Sequence, residues 1–283
     1  MTPAGLAPHD PAPTPGPGVS PGDLPAGAVG ASGEVEPPDP ATHPHASPGG
    51  TEAHFLATDE PGPLLTSGSR ADVYVLDDDT VLRRYRDGQD AAREVEILRH
   101  VVAQGFPAPA VYAAQGPDLV MERLHGPTLL QALAAGEVGL AEGAQLLVDL
   151  HDQLHAIAAP GAAPGADGLV VLHLDLHPGN VILTEQRGPA VVDWANARAG
   201  AATLDVAVTA LVLAEVAVDA GGAYSQAARA LLAAFLTHGA VSPLPALDAA
   251  TEVRRTDPGF VTEESALVDA AADLVRDLLR VAG

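Results

Sequence analysis

The hydrophobic and polar positions along the chain divide it into three unlike stretches. Residues 1–57 carry Pro, Gly, Ala, Ser and Thr with almost no large apolar side chains. Such a composition cannot bury enough surface to offset its ordering entropy, so it predicts a disordered tail. From residue 58 the pattern becomes regular. PLLTSG (63–68), ADVYVLDDDTVLRRYRDG (71–88) and DLVMERL (118–124) hold β-branched and aromatic runs bounded by turn residues. They predict strands, with Asp77-Asp78-Asp79 as a hairpin turn. Between them, Val95, Ile97, Leu98, Val101 and Val102 recur at helical spacing over residues 91–105, and Gly105 and Pro107 stop the helix. Past Gly126 the spacing predicts helices over 127–136 and 140–158. Short strands follow at 169–173, 181–184 and 190–194, then helices near 202–219, 223–237 and 262–281. A sheet-rich part (58–121), a short join (122–126) and a helix-rich part (127–283) predict two lobes with a cleft between them.

Composition narrows the function classes. The chain has 283 residues, 47% hydrophobic, which is enough for a sizeable core. Its longest apolar run, VAVTALVLA (206–214), has nine residues between Asp205 and Glu215, whereas a membrane span needs about twenty. The N-terminus lacks the basic start and apolar stretch of a signal peptide. Cysteine is absent, which fits a reducing compartment. These features read as a soluble, cytoplasmic protein without a membrane partner. A net charge of −23 argues against nucleic acid, because phosphate binding needs clustered positive charge. The charge is compatible with a cationic small substrate, although solubility is the simpler reading. All 14 basic residues are Arg. Mechanisms that need a Lys amine, such as a Schiff base or a P-loop Lys, are therefore excluded.

The densest polar stretch is HLDLHPGNVILT (173–184). It sets Asp175 between His173 and His177, then a Pro-Gly turn, Asn180 and an apolar run. A turn at Arg187-Gly188 leads on to Val191-Val192-Asp193-Trp194. Strand, loop, strand, turn and strand bring Asp175, Asn180 and Asp193 toward one pocket. Oxygen-bearing side chains of this kind suit a hard cation such as Mg²⁺. Asp175 is then left to accept a proton. His173 and His177 are alternative metal ligands, and Trp194 reads as packing behind Asp193. His151 and His155 stand four apart on one helix, like a zinc motif with Asp152 in place of Glu. The simpler reading of that pair is a partly buried lining of the helical lobe. The acidic C-terminal helices (Glu263, Glu264, Asp269, Asp273, Asp277) read as a solvated face, with a cationic-substrate groove as the sharper alternative.

H-x-D-x-x-x-x-N followed thirteen residues later by Asp resembles the catalytic and metal-binding loops of kinases. The wording HLDLHPGNVIL…VVDW is most similar to the aminoglycoside phosphotransferase and choline kinase-like family. DVYVLDDDTVLRRYR, REVEILRHVVAQGFPAPAVY, LVMERLHGPTL, LHDQLHAI and GAATLDVA resemble its other segments in order, from about residue 58 to the end. The resemblance implies an α+β, bilobal protein kinase-like fold, with a small antiparallel-sheet lobe carrying one helix and a larger helical lobe. It implies ATP- and Mg²⁺-dependent transfer of the γ-phosphate to a hydroxyl of a small molecule, such as an aminoglycoside, a sugar or an amino alcohol. Asp175 would orient that hydroxyl and accept its proton, and Asn180 and Asp193 would bind Mg²⁺ on the ATP phosphates. Glu94, rather than Glu96, would pair with the third-strand cation, which is Arg83 where the family has Lys. Ser69 would reach a phosphate or cap its turn, and the backbone of Glu122 and Leu124 would hold the adenine. His173 would shape the loop, His177 would lie near substrate, and Asp205 would brace the site. Because Arg83 replaces Lys, a pseudokinase-like binding protein is the alternative.

Overall fold

The computed structural model describes residues 61–68, 70–161, 168–219, 221–257 and 265–282. All of them fall within one compact unit, Ser47–Gly283. The tail, residue 69 and residues 258–264 lie outside the described residues.

The smaller lobe is an antiparallel sheet of β1 (Leu64–Ser67), β2 (Ala71–Val75), β3 (Thr80–Tyr85), β4 (Val111–Gln115) and β5 (Asp118–Glu122), in the order β1-β2-β3-β5-β4. The β2–β3 turn closes at the aspartate run, where Asp79 N–H donates to Asp77 Oδ1 at 2.9 Å. This local bond is what makes Asx residues good turn formers. β3 is central, with β2 on one side and β5 on the other. Strand alternation sends Val81, Arg83 and Tyr85 to one face. Leu82, on the other face, packs with Ala113 and Val120. Helix α1 (Ala92–Ala103) covers the first face with Glu94, Val95, Ile97, Leu98 and Val101. Its start is held by Asp90 Oδ1, which accepts from Ala92 N–H.

Gly126 and Pro127 carry the chain into the larger lobe. Leu183 N–H donates to Pro127 O at 2.8 Å, pinning this passage against β7 (Val181–Thr184). Gly126 has φ +148°, and a Cβ there would sit 2.1 Å from Leu183 O. The close approach therefore requires glycine. Helix α2 (Leu129–Ala135) opens with a Thr128/Gln131 capping box and ends on left-handed Gly136. α3 (Leu140–His155) leads to β6 (Val170–Leu172), then to a short 3₁₀ turn (Pro178–Asn180) and the hairpin of β7 and β8 (Gly188–Val191). β9 (Arg198–Gly200) returns to pair with β6. α4 (Ala202–Val218) is buried on almost every side by α5 (Gly222–His238), α6 (Leu247–Arg255) and α7 (Ser265–Ala282). That explains the apolar run at 206–214: it is the centre of the helical lobe. No helix among the described residues is long and apolar enough to cross a membrane.

Several elements differ from the sequence pattern. Instead of running on to residue 194, the last strand of the hairpin ends at Val191. Asp193 takes a left-handed φ of +65°, a conformation that cannot continue a strand. β6 pairs with β9 as a separate ribbon rather than extending the hairpin. α6 was not marked by the pattern, because its buried face is Leu247, Ala250 and Thr251, too weakly apolar to register as a stripe. Gly126→Ala is expected to destabilise the fold by about 1–3 kcal/mol, the scale of a strained backbone position. Urea unfolding followed by the fluorescence of the single Trp, Trp194, measures it.

Candidate active site

β3 places Arg83 in the interior, 5% exposed, between two carboxylates. Arg83 Nη2 donates to Asp193 Oδ1 at 2.6 Å, and its Nε lies 3.4 Å from Glu94 Oε2. Tyr85, two residues along the same strand face, donates its hydroxyl to Glu94 Oε2 and lies under the guanidinium. Burial opposes the charge on Arg83, but Glu94 and Asp193 outweigh it and hold the guanidinium firmly protonated. Burial raises the Glu94 carboxyl above its ordinary range, against the pull of Arg83 and the Tyr85 hydroxyl. Burial also pushes Asp193 upward, yet Arg83 brings it below the usual carboxylate value. Asp193 thus stands as an anion at the mouth of the hairpin.

Across from it, the 3₁₀ turn folds Asn180 back. Asn180 Nδ2 donates to Asp175 O at 2.9 Å and to Asp175 Oδ2 at 3.1 Å. Val192 N–H donates to Asn180 O at 2.9 Å, so the residue before Asp193 is tied to Asn180 itself. Asp175 is pushed up to about 7, by burial first and then by the neighbouring charge of Asp193. A carboxyl so placed exchanges a proton near neutrality. Asn180 spends its amide hydrogens on Asp175 and keeps its amide oxygen available. That oxygen and the Asp193 carboxylate are the hard donors Mg²⁺ takes together with phosphate oxygens, so the residues present fit the ion.

The Asp-Asn-Asp cluster, faced by a buried Arg–Glu pair on a kinase-like sheet, is where comparison with known proteins decides. The profile of the phosphotransferase enzyme family matches residues 62–169 and 160–241. The chain belongs to this family. No curated protein matches the sequence. Among solved structures, the family fold is shared with an amicoumacin kinase bound to AMP-PNP, Ca²⁺ and amicoumacin (TM-score 0.50, 12% identity, 78% of this chain and 89% of that one). A choline/ethanolamine kinase family protein from Mesorhizobium loti gives 0.49 at 13% identity, over 81% of this chain and 92% of that one. The streptomycin–ATP complex of APH(2")-IIa gives 0.46 at 13% identity, over 76% and 92%. At these identities the likeness is one of fold.

In this family member a second network shapes the loop from below. Asp205, fully buried near the start of α4, accepts from His173 N–H (3.0 Å), Leu174 N–H (2.6 Å) and His155 Nε2 (3.0 Å). His173 Nε2 donates to Val192 O, and His173 Nδ1 accepts from Asp175 N–H at 3.2 Å. Burial lowers the His173 pKa, and the neutral tautomer is the one that satisfies both bonds. His173 thus links the backbone of Asp175 to that of the residue before Asp193. Trp194 packs edge-on against His173 and Phe106 and donates to Val191 O. Leu174 and Asp193, the only non-glycine residues with positive φ among those described, both belong to this loop pair (+62° and +65°). Backbone strain of this kind persists where surrounding bonds over-determine it.

The remaining sequence candidates fall as follows. Ser69 lies outside the described residues. Neighbouring Ser67 donates to Asp72 and accepts from Arg86. Glu96, the alternative to Glu94, is exposed on α1. The Glu122 amide is already bonded to Ala110 O, and its side chain meets Arg187 at 2.6 Å. Leu124 lines a polar cavity of 510 Å³ with Glu122, Tyr112 and Arg187. His177 Nε2 stands 3.7 Å from Asp175 Oδ1. His151 is committed to Leu147 O and Thr209, and His155 to Asp205. This pair is internal scaffolding rather than an open zinc face. The C-terminal aspartates are paired at the surface: Asp269 with Arg255, Asp273 with Arg276 and Asp277 with Arg280.

Four roles escaped the sequence reading. His155 holds Asp205, and Tyr85 holds Glu94; the period of two from Arg83 marks Tyr85 in retrospect. Arg254, bound to Glu215 by two hydrogen bonds of 3.1 and 2.7 Å, contributes its charge near Asp175 together with Asp257. These last two sit on and just after α6, the helix the pattern did not mark.

Asp205 is held down to about 2. Burial works against this, and the His155 bond and neighbouring His charges prevail. A depressed folded pKa means that its stabilisation is complete above the unfolded value of about 3.9. It is lost as pH falls toward 2. Asp205→Asn is therefore expected to cost about 3–5 kcal/mol at neutral pH. Its unfolding free energy should also fall less steeply than wild type between about pH 4 and 2. Denaturant titrations across that range read both effects.

Proposed function

We propose that this phosphotransferase-family chain is an ATP- and Mg²⁺-dependent small-molecule kinase that phosphorylates an alcohol. The observation that carries the reading is the convergence of Asp175, Asn180 and Asp193, with the buried Arg83–Glu94 pair facing Asp193. In this reading residues 122–126 are the hinge between a nucleotide lobe (58–121) and a helical lobe (127–283). The backbone of Glu122 and Leu124 receives the adenine. Arg83, oriented by Glu94, is the cation available to the nucleotide phosphates. Asn180 and Asp193 hold Mg²⁺, which neutralises charge on the phosphate oxygens when bound.

Asp175 receives the acceptor hydroxyl. As the acceptor oxygen bonds to the γ-phosphorus, its proton passes to Asp175 and the bond from γ-phosphorus to the bridging oxygen breaks, releasing ADP. His177 Nδ1 accepts from Gly179 N–H, so the neutral ring carries its hydrogen on Nε2, toward Asp175. Burial lowers the His177 pKa to about 4, which keeps the ring neutral. At 3.7 Å the two side chains are too far apart to bond directly. One hydroxyl between them can accept from His177 and donate to Asp175. Because phosphoryl transfer is mostly positioning and charge neutralisation, these groups suffice.

One observation favours a second reading, that of a binding protein without turnover. Arg83 is bonded directly to Asp193 at 2.6 Å, on a carboxylate that the enzyme reading assigns to the metal. The two readings part on the full chain incubated with ATP, Mg²⁺ and a panel of hydroxylated metabolites and aminoglycosides. The kinase reading expects ADP release and an ATP-dependent rise in melting temperature. Asp175→Asn then lowers turnover about 10²- to 10⁴-fold with the ATP shift kept, and Arg83→Met loses both. An inert wild type that gains turnover on Arg83→Lys supports the second reading. Absence of both turnover and ATP shift removes the nucleotide from either account.

A further inference from the structure

The loop that carries Asp175 has two sides, and the second is apolar. His177, Pro178 and Gly179 form one wall of a 240 Å³ pocket whose other walls come from α2, the start of α3, α4 and α5. Leu133, Val212, Val216, Ala228 and Leu231 line it, and no Asp, Glu or Arg does. Leu130 and Tyr224, also in its lining, are among the few large hydrophobic residues left exposed among the described residues, at 38% and 58%. Exposed apolar surface gathered around a concavity marks a binding site more than scattered leucines do. His177 belongs to both sides: it lines the apolar pocket, and its Nε2 stands 3.7 Å from Asp175 Oδ1. A molecule seated in the pocket with a hydroxyl at its His177 end would present that hydroxyl to Asp175.

Resting on the alcohol-kinase reading above, we propose that the acceptor is an alcohol with an apolar body, a branched alkyl or single-ring group seated among Leu133, Val212, Val216 and Leu231. The volume lies just under the ~300–1,000 Å³ of drug-sized ligand pockets, so it suits one small apolar group. The lining offers no carboxylate to a polycation. The acidic C-terminal aspartates, the other candidate for a cation site, are paired with arginines on the surface.

The test uses the full chain and the linear alcohols from 1-butanol to 1-octanol, with glycerol as the polar control, followed by titration calorimetry. The expected result is a Kd that tightens about fourfold per added methylene until the pocket is full, with no binding of glycerol. Ala228→Phe fills the pocket from α5 and is expected to abolish the chain-length dependence. Ala228→Leu, a gentler change, should end the dependence at a shorter alcohol. Melting curves confirm that each variant is folded. A flat series, or a series unchanged in both variants, overturns the proposal. The ATP-dependent melting shift is read on the same samples. If it is absent while the alcohol series holds, the phosphotransfer reading falls and the pocket stands. If it is present while the series is flat, the pocket falls and phosphotransfer stands.

Discussion

A guanidinium buried to 5% exposure cannot stand alone, and Arg83 is the constraint around which the site is organised. Removing a charge from water costs several kcal/mol per ion unless partners compensate. Here the partners come from elements far apart in sequence: Glu94 from α1 and Asp193 from the end of the β7–β8 hairpin. One cation therefore joins the sheet, its covering helix and the larger lobe. Tyr85 completes the arrangement by giving Glu94 a hydrogen bond. The Asp193 carboxylate is the partly exposed member of the cluster, while Arg83 and Glu94 are buried.

That the cation is Arg rather than Lys decides how this constraint is met. A Lys ammonium is a compact point charge. The guanidinium fork spans two directions, with Nε toward Glu94 and Nη2 on Asp193. The same side chain therefore bridges helix and hairpin without a ligand present. Nε is a buried atom left without a hydrogen-bond partner, although Glu94 stands 3.4 Å away. The pair is aligned for charge more than for a bond, and a small shift of α1 would close it.

Legibility from sequence followed the range of each interaction. The β2–β3 hairpin, α1 and the Asp175–Asn180 turn are each set by residues close together in the chain, and the pattern marked all three. Asp175, Asn180 and Asp193 were readable as a set because their spacing is short and spans one hairpin. Pairings between distant elements were not readable. β9 holds three residues, Arg198-Ala199-Gly200, with no β-branched signal, and exists because β6 needs a partner. His155 looked like half of a metal motif because its partner, Asp205, is fifty residues away. Arg254 and Asp257 reached the site through α6, whose buried Ala and Thr leave no hydrophobic stripe.

Charge shows most clearly how a total over the chain differs from the field at one place. A net charge of −23 invites a cationic substrate, yet charge acts on a ligand through the groups that face it. The acidic residues of α6 and α7 pair with arginines in exposed ion pairs worth little individually. Near Asp175 the balance is different: Arg254 stands against Asp193 and Asp257, so the field there is mixed rather than strongly negative. On the far side of His177 the walls are aliphatic. Under the proposed alcohol-kinase reading, recognition of an acceptor in that geometry would fall to shape and apolar burial, with one neutral imidazole and one carboxyl near its proton-exchange point left to handle the hydroxyl.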